Sequence, residues 1–192
     1  MTLEEWNERY RTREDIDDEP AQLMVEVVSS SEFLGSSEFL GGAGSTPRNS
    51  EELRGTRGTL KALDLACGAG RNAVWLARHG WSVVAIDGAR EAIRLLHERE
   101  AAIDARVIDL ERDAPLPFED ASFDLVLILF YLHRPLFAEA KRVLRRGGLL
   151  VTTARTRGSF AAERGELATF FDGWEVVHER DAEIAELVVR KP

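Results

Sequence analysis

The sequence predicts an α/β protein: a mostly parallel sheet with helices on both faces. Two observations predict it. From residue 59 onward, short apolar or β-branched runs alternate with helical patterns at crossover spacing. The longest apolar run, LVLILFYL at Leu125–Leu132, suits a central strand covered on both sides. A third observation concerns ligands. Three of the early runs end at an acid, Asp64, Asp87 and Asp109, and open α/β sheets bind ligands beyond their carboxyl strand ends.

The elements follow in order. Residues 3–12 form an amphipathic helix pattern that places Trp6 and Tyr10 on one face. Pro20 marks a break, and residues 21–28 read as a second short helix beginning near it. Residues 1–28 are thus expected to form an N-terminal helical cap segment. Residues 29–59 hold SSEFLG twice, then GGAGSTPRNS, with neither helical nor alternating period. That composition suits a flexible linker, or a lid in which Phe33, Leu34, Phe39 and Leu40 dock on an apolar mouth.

Residues 60–192 carry the main domain. Strands are expected at 60–66, 82–87, 106–110, 123–130 and 149–154. Helices are expected at 71–79, stopped by Gly80, and at 90–102, 135–146 and 163–171. Pro135 stands at the start of the third, and Gly147-Gly148 read as its stop. Two last strands, 174–179 and 185–190, lie close enough to form an antiparallel hairpin.

The bulk numbers set limits. A chain of 192 residues suits one domain with a real core. A formal net charge of −9 disfavours a nucleic-acid partner, because binding the phosphate backbone requires Lys and Arg to displace counterions. Cys67 is the single cysteine, so no intrachain disulfide forms. The charged opening MTLEEWNERYRTRED has no apolar leader, and no run is long enough to span a bilayer. These features lead us to expect a cytoplasmic protein with no membrane partner, as a monomer or homodimer. No Cys/His/acid cluster suggests a metal.

Gly68-Ala69-Gly70-Arg71-Asn72-Ala73 fits G-x-G-x-x-[G/A], with Asp87 downstream. Alone, this resembles a dinucleotide fingerprint. Two features oppose that reading. Asp64, just before the turn, would repel a pyrophosphate. Three acids at one rim make a field that favours a cation. S-adenosylmethionine meets the demand: its ammonium and sulfonium are cationic and it carries no phosphate. Asp87 would accept from both ribose hydroxyls, and Asp109 from the adenine amine with Leu110 packed beside it. Gly68 and Gly70 would let the backbone approach the ligand. Each acid also has a structural reading: Asp64 and Asp87 as turn or capping residues, Asp109 as a loop acid.

LDLACGAGR, SVVAIDGA, VIDLE, FDLVLILFYLH and VLRRGGLLVTTA, in this order and spacing, resemble the motif series of class I S-adenosylmethionine-dependent methyltransferases. The resemblance covers residues 60–154. It implies a Rossmann-like seven-stranded sheet, mostly parallel with an antiparallel C-terminal strand. It places cofactor contacts at Asp64, Ala66, Gly68, Gly70, Arg71, Asn72, Asp87, Gly88, Asp109, Leu110 and Leu129. One departure is Ala66, where the family often has glycine. A narrower likeness is to the tellurite-resistance and thiol methyltransferase branch, through CGAGRNAVWLARHGWSVVAID, ELATFFDGWEVVHERD and WNERYR. In that branch the N-terminal segment folds over the cofactor, making Trp6, Tyr10 and Arg11 candidate lid contacts. The branch acts on small nucleophiles: thiols, oxyanions and small aromatic compounds.

The implied reaction is in-line displacement, driven by alignment and exclusion of water. Leu129, Phe130, Tyr131, Leu132, His133 and Arg134, which follow the fourth strand, lie nearest the methyl group. Among them, His133 is either a general base or a histidine capping the next helix, and Tyr131 either lines the substrate pocket or belongs to the core. Arg155, after the fifth strand, either pairs with an anionic substrate or is a solvated loop residue. The expected function is methyl transfer to a small molecule. The alternatives are methylation of a protein or RNA, or a silent cofactor-binding regulatory subunit.

Overall fold

A computed structural model of the chain describes residues 2–13, 17–30, 59–113, 115–158 and 161–192. The expected linker or lid falls almost wholly on 31–58 and so lies outside the described residues.

Two helices open the chain, α1 (Leu3–Thr12) and α2 (Gln22–Ser29). Thr2 and Glu5 cap α1 reciprocally, each side chain accepting from the other's backbone N–H. The domain then runs β1 (Lys61–Leu65), α3 (Arg71–Arg78), β2 (Ser82–Asp87), α4 (Arg90–Arg99), β3 (Asp104–Val107), β4 (Phe123–Leu129), α5 (Leu136–Val143), β5 (Leu144–Arg155), α6 (Glu166–Thr169), β6 (Glu175–Asp181) and β7 (Ile184–Arg190).

The seven strands form one sheet in the order β3-β2-β1-β4-β5-β7-β6. Strands β1 to β5 pair in parallel. β7 lies antiparallel between β5 and β6. The chain order reverses at β1/β4, so the crevice beyond the carboxyl ends of β1, β2 and β4 is where a ligand fits the topology.

The period of two along β4 divides the core. Leu125, Leu127 and Leu129 join the cluster under α2, α3 and α4, whereas Val126 and Ile128 join the one under α5 and α6. Asp124, at the other end of β4, is structural. It accepts from the Lys61 N–H at 2.8 Å and pairs with Arg145 at 2.8 Å.

Some boundaries differ from the sequence reading. β3 ends at Val107, earlier than expected, because residues 109–113 wind into a turn closed by Asp113 N–H to the Asp109 carbonyl. Gly147 and Gly148 do not stop a helix: α5 ends at Val143 and both glycines lie inside β5. A Cβ on Gly148 would meet the Asp124 carbonyl oxygen at 2.9 Å, so the glycine permits the close approach of β4 and β5 at their irregular register. α6 is a single turn, shorter than the pattern suggested.

Candidate active site

The carboxyl ends of β1 and β2 bring two acids together. Asp64 is 1% exposed; it accepts from the Ala73 backbone N–H, while its Oδ2 has no partner among the described residues. A buried carboxylate oxygen left unpaired is costly, so its persistence at a strand end points to a missing cationic or donor group. Burial, and after it the charge of Asp87, push the Asp64 carboxyl up to about 7, while the Arg71 guanidinium opposes them.

Asp87 closes β2 and organises the glycine turn. Its Oδ2 accepts from Gly68 N–H at 2.9 Å and its Oδ1 from Ala89 N–H at 2.8 Å. Burial raises its carboxyl, partly offset by these two hydrogen bonds. Each oxygen still has a lone pair to offer.

The turn between β1 and α3 takes its shape from left-handed residues: Ala66 at φ 58°, Gly68 at 55° and Gly70 at 81°. Ala66 occupies a conformation that costs an L-residue about 1–2 kcal/mol, which explains why glycine suits this position. The two glycines have different tasks, and here the sequence reading needs correcting. A Cβ on Gly68 would lie 2.8 Å from the Tyr10 hydroxyl, the far end of a side chain from α1. A Cβ on Gly70 would lie 2.2 Å from Leu96 Cδ1, so Gly70 serves packing of α4 rather than ligand approach. Gly88 is likewise covered by protein: its Cβ would stand 2.6 Å from Leu3 Cδ2 of α1.

Helix α1 packs against the turn and the start of α4. Asn7 Oδ1 accepts from Glu91 N–H at 3.0 Å, fixing α1 on the start of α4. Trp6 and Tyr10 stack at 6.1 Å between centroids. Burial, then Asp87, raise the Tyr10 phenol above its ordinary value, keeping it a neutral donor. Arg11 does not join them; it is exposed and pairs with Glu8. Residues 17–21 hold the other flank of the turn. Asp17 pairs with Arg71, and Asp18 with Arg99 at 2.6 Å. Arg99 in turn donates to the Ala69 carbonyl at 2.9 Å. Asn72, expected at the cofactor, is instead buried, its Oδ1 accepting from Ala21 N–H at 2.8 Å.

Asp109 spends its carboxylate locally, on Glu111 N–H at 3.0 Å and on Arg112 at 3.8 Å. The sheet rim therefore gathers a pair of acids at the turn, with the third engaged in its own loop. Leu110 and Leu129 are buried at 7% exposure each. Tyr131 is half-buried and donates to Glu111 Oε1 at 3.4 Å. The His133 ring lies 6.4 Å from that of Tyr131, while its carbonyl accepts from Leu136 N–H at the start of α5. Arg155 is exposed at the end of β5. An open cavity of about 580 Å³ at the far side of this rim, lined by Thr156, Ala162, Glu163, Arg164 and Asp181 among others, contains none of the predicted site residues.

Sequence reading missed Asp17, Asp18 and Arg99, whose pairing depends on chain segments far apart. Phe130, expected near the methyl group as one of the residues after the fourth strand, stands at φ 58° with 41% of its surface exposed.

The arrangement fits S-adenosylmethionine. The buried acids supply negative charge that Arg71 only partly offsets, and Gly68 keeps the backbone of the turn free of a side chain.

Comparison with known proteins agrees with this geometry. The profile of the methyltransferase domain family matches residues 63–152. A demethylmenaquinone methyltransferase of Clavibacter sepedonicus is 41% identical over 97 residues, covering 47% of this chain and 39% of that protein. A ribosomal RNA small subunit methyltransferase C of Alcanivorax borkumensis is 33% identical over 103 residues, covering 47% of this chain and 30% of that one. The chain thus spans well under half of either relative. In fold it is similar to a TehB-like S-adenosylmethionine-dependent methyltransferase of Corynebacterium glutamicum, with TM-score 0.64 and 18% identity over 99% of this chain and 98% of the other. Over residues 63–152 the chain is thus similar to the methyltransferase domain family, and its sheet shares the fold of the S-adenosylmethionine-dependent methyltransferase from Corynebacterium glutamicum.

Proposed function

We propose that the chain transfers a methyl group from S-adenosylmethionine to a small-molecule nucleophile. The observation that carries this reading is the buried carboxylate pair at the glycine turn, with the Asp64 Oδ2 unpartnered among the described residues. When bound, the cofactor supplies an activated methyl on a sulfonium: a C–S bond breaks, its electron pair stays on sulfur, and the acceptor gains the new bond.

The chain's own residues bind, orient and exclude water. Asp64 acts at the ligand's cationic amino-acid end, through the charge of its buried carboxylate. Asp87 offers its remaining lone pairs to the ribose hydroxyls while holding the Gly68 backbone. Ala66 and Gly68 give the turn its close-approach face. Asp109 and Leu110 flank the adenine end, and Leu129 closes the floor. Tyr10 and Trp6 cover the turn. A thiolate or oxyanion acceptor needs alignment and little else. A neutral hydroxyl would pass its proton to His133 or to water.

The small-molecule reading rests on charge. With net −9 and an acidic rim, RNA is disfavoured as substrate, although one relative is named for ribosomal RNA. The test has two parts. S-adenosylhomocysteine should bind and raise thermal stability, and NAD should not. Release of S-adenosylhomocysteine should then follow addition of a thiol, selenite, tellurite or a phenol. Stabilisation by NAD alone would refute cofactor choice. Turnover on RNA or protein alone would refute the small-molecule assignment.

A further inference from the structure

Phe130 combines two costs. It is a bulky L-residue at φ 58°, in the left-handed region, where such a side chain is a genuine outlier. It also leaves 41% of a large apolar surface in water. The neighbouring strand forces the conformation, because Phe130 N–H donates to the Thr153 carbonyl at 2.9 Å and lies 3.1 Å from Thr153 Oγ1. Glycine at 130 would remove both costs. Strain held in place by surrounding structure clusters at ligand sites.

Its position gives the strain a use. Phe130 directly follows β4, the strand next to β1 in the sheet, at the rim that carries Asp64 and Asp87. The Arg71 guanidinium, which opens α3 just past the glycine turn, lies 5.7 Å from the ring centroid. Arg71 is itself ion-paired with Asp17, so it orients the ring without offering an unspent charge to an anion. Arg134, close by in sequence, is committed to Glu166. On the other side the Tyr131 hydroxyl meets Glu111. The surroundings are therefore aromatic and acid-rich, a poor host for an oxyanion and a good one for an uncharged flat ring.

We propose that Phe130 is the specificity-determining wall of the acceptor site, and that the acceptor carries its nucleophile on an uncharged aromatic ring that packs against the Phe130 ring. This rests on the methyltransferase reading above. The transfer is balanced in the same way: the aryl oxygen or sulfur gains the methyl, the sulfonium sulfur keeps the C–S electron pair, and the nucleophile's proton leaves to water.

The experiment uses the full chain saturated with S-adenosylhomocysteine and titrates 2-naphthol by calorimetry. Wild type should bind the probe saturably. Phe130→Gly, which relaxes the backbone while deleting the ring, should weaken it ~10-fold, and Phe130→Leu, which keeps apolar bulk, about 5-fold, as the loss of an aromatic pair implies. Affinity for S-adenosylhomocysteine should fall much less than affinity for the probe in both, since Phe130 reaches the glycine turn only through Arg71. No saturable binding by wild type, or a Leu variant that binds the probe as wild type does, overturns the assignment. Failure of wild type to bind S-adenosylhomocysteine at all would instead overturn the methyltransferase reading, and is read in a separate titration.

Discussion

Replacing Asp64 by Asn should stabilise the ligand-free protein above neutral pH and weaken the cofactor. Asp64 faces Asp87 and Arg71 as charged neighbours, with the Ala73 N–H as its hydrogen-bond donor and the Cys67 thiol nearby. In the unfolded chain its carboxyl ionises near 3.8; in the fold, burial moves it to about 7. The native state therefore holds the proton more tightly. Stability falls as pH rises from about 4 to about 7 and then levels. Each tenfold gain in proton affinity is worth about 1.36 kcal/mol, so the ionised carboxylate costs the empty fold on the order of 4 kcal/mol. The asparagine side chain carries no such cost. The variant-minus-wild-type stability should therefore be near zero at pH 4 and grow to several kcal/mol by pH 8.

Denaturant titrations of both proteins across pH 4–8.5 read this difference directly, because every other titrating group is shared and cancels. Cofactor binding should move oppositely. A cation at the turn favours the carboxylate, so wild-type affinity should rise with pH up to about 7, with release of up to one proton. The variant should lose at least ~10-fold in affinity and lose that pH dependence. Parallel stability curves for the two proteins, or binding of S-adenosylmethionine independent of both pH and Asp64, would refute the reasoning.

Three further substitutions test the turn. Ala66→Gly relieves a left-handed alanine worth about 1–2 kcal/mol and gives back about 0.4–1 kcal/mol in unfolded-state entropy, so denaturation should show a net gain of up to ~1.5 kcal/mol. Gly70→Ala drives a methyl into the fully buried Leu96 at φ 81°, so overpacking and backbone strain together should cost about 2–5 kcal/mol in the same assay. Asn72→Ala strands the half-buried Ala21 N–H and should cost about 1 kcal/mol, with faster amide exchange confined to residues 20–29.

Much of the sheet was legible because burial imposes period on sequence. The run at Leu125–Leu129 is apolar at every position because β4 is covered on both faces, and Asp64 and Asp87 stand at the next-to-last position of β1 and the last of β2, near where strand-end logic put them. The glycine turn was legible as a turn but not in its division of labour. Whether a glycine faces a ligand or a helix depends on which residue stands opposite, and Tyr10 and Leu96 come from distant segments. Asn72 was misread for the same reason: an amide beside a ligand turn looks functional until α2 is seen bonded to it. Residues 147–148 show a local signal overridden, since glycine-glycine after a helical pattern usually ends a helix and here shapes a strand. Phe130 was legible as a residue near the methyl group but not as a strained one, because sequence shows residue type and what marks this one is a backbone angle.

The same features that make the site unstable when empty make it selective when filled. Asp64 and Asp87 repel across the turn, and no neighbouring cation among the described residues neutralises them fully, since Arg71 is shared with Asp17 and packed on Phe130. A ligand with a positive centre relieves that repulsion on binding, whereas a pyrophosphate adds to it, so discrimination comes from stored electrostatic cost rather than from shape alone. Arg71 then touches three things at once: the field at Asp64, the anchor of the N-terminal segment and the ring of Phe130. Closing the N-terminal segment and presenting Phe130 to an acceptor are thereby tied to one guanidinium. Arg71→Met keeps the stem and removes the charge. If the three tasks share that charge, the variant should lose cofactor affinity and 2-naphthol affinity together and loosen residues 17–21 in amide exchange. Movement of only one of these readouts would show that the three tasks are separate.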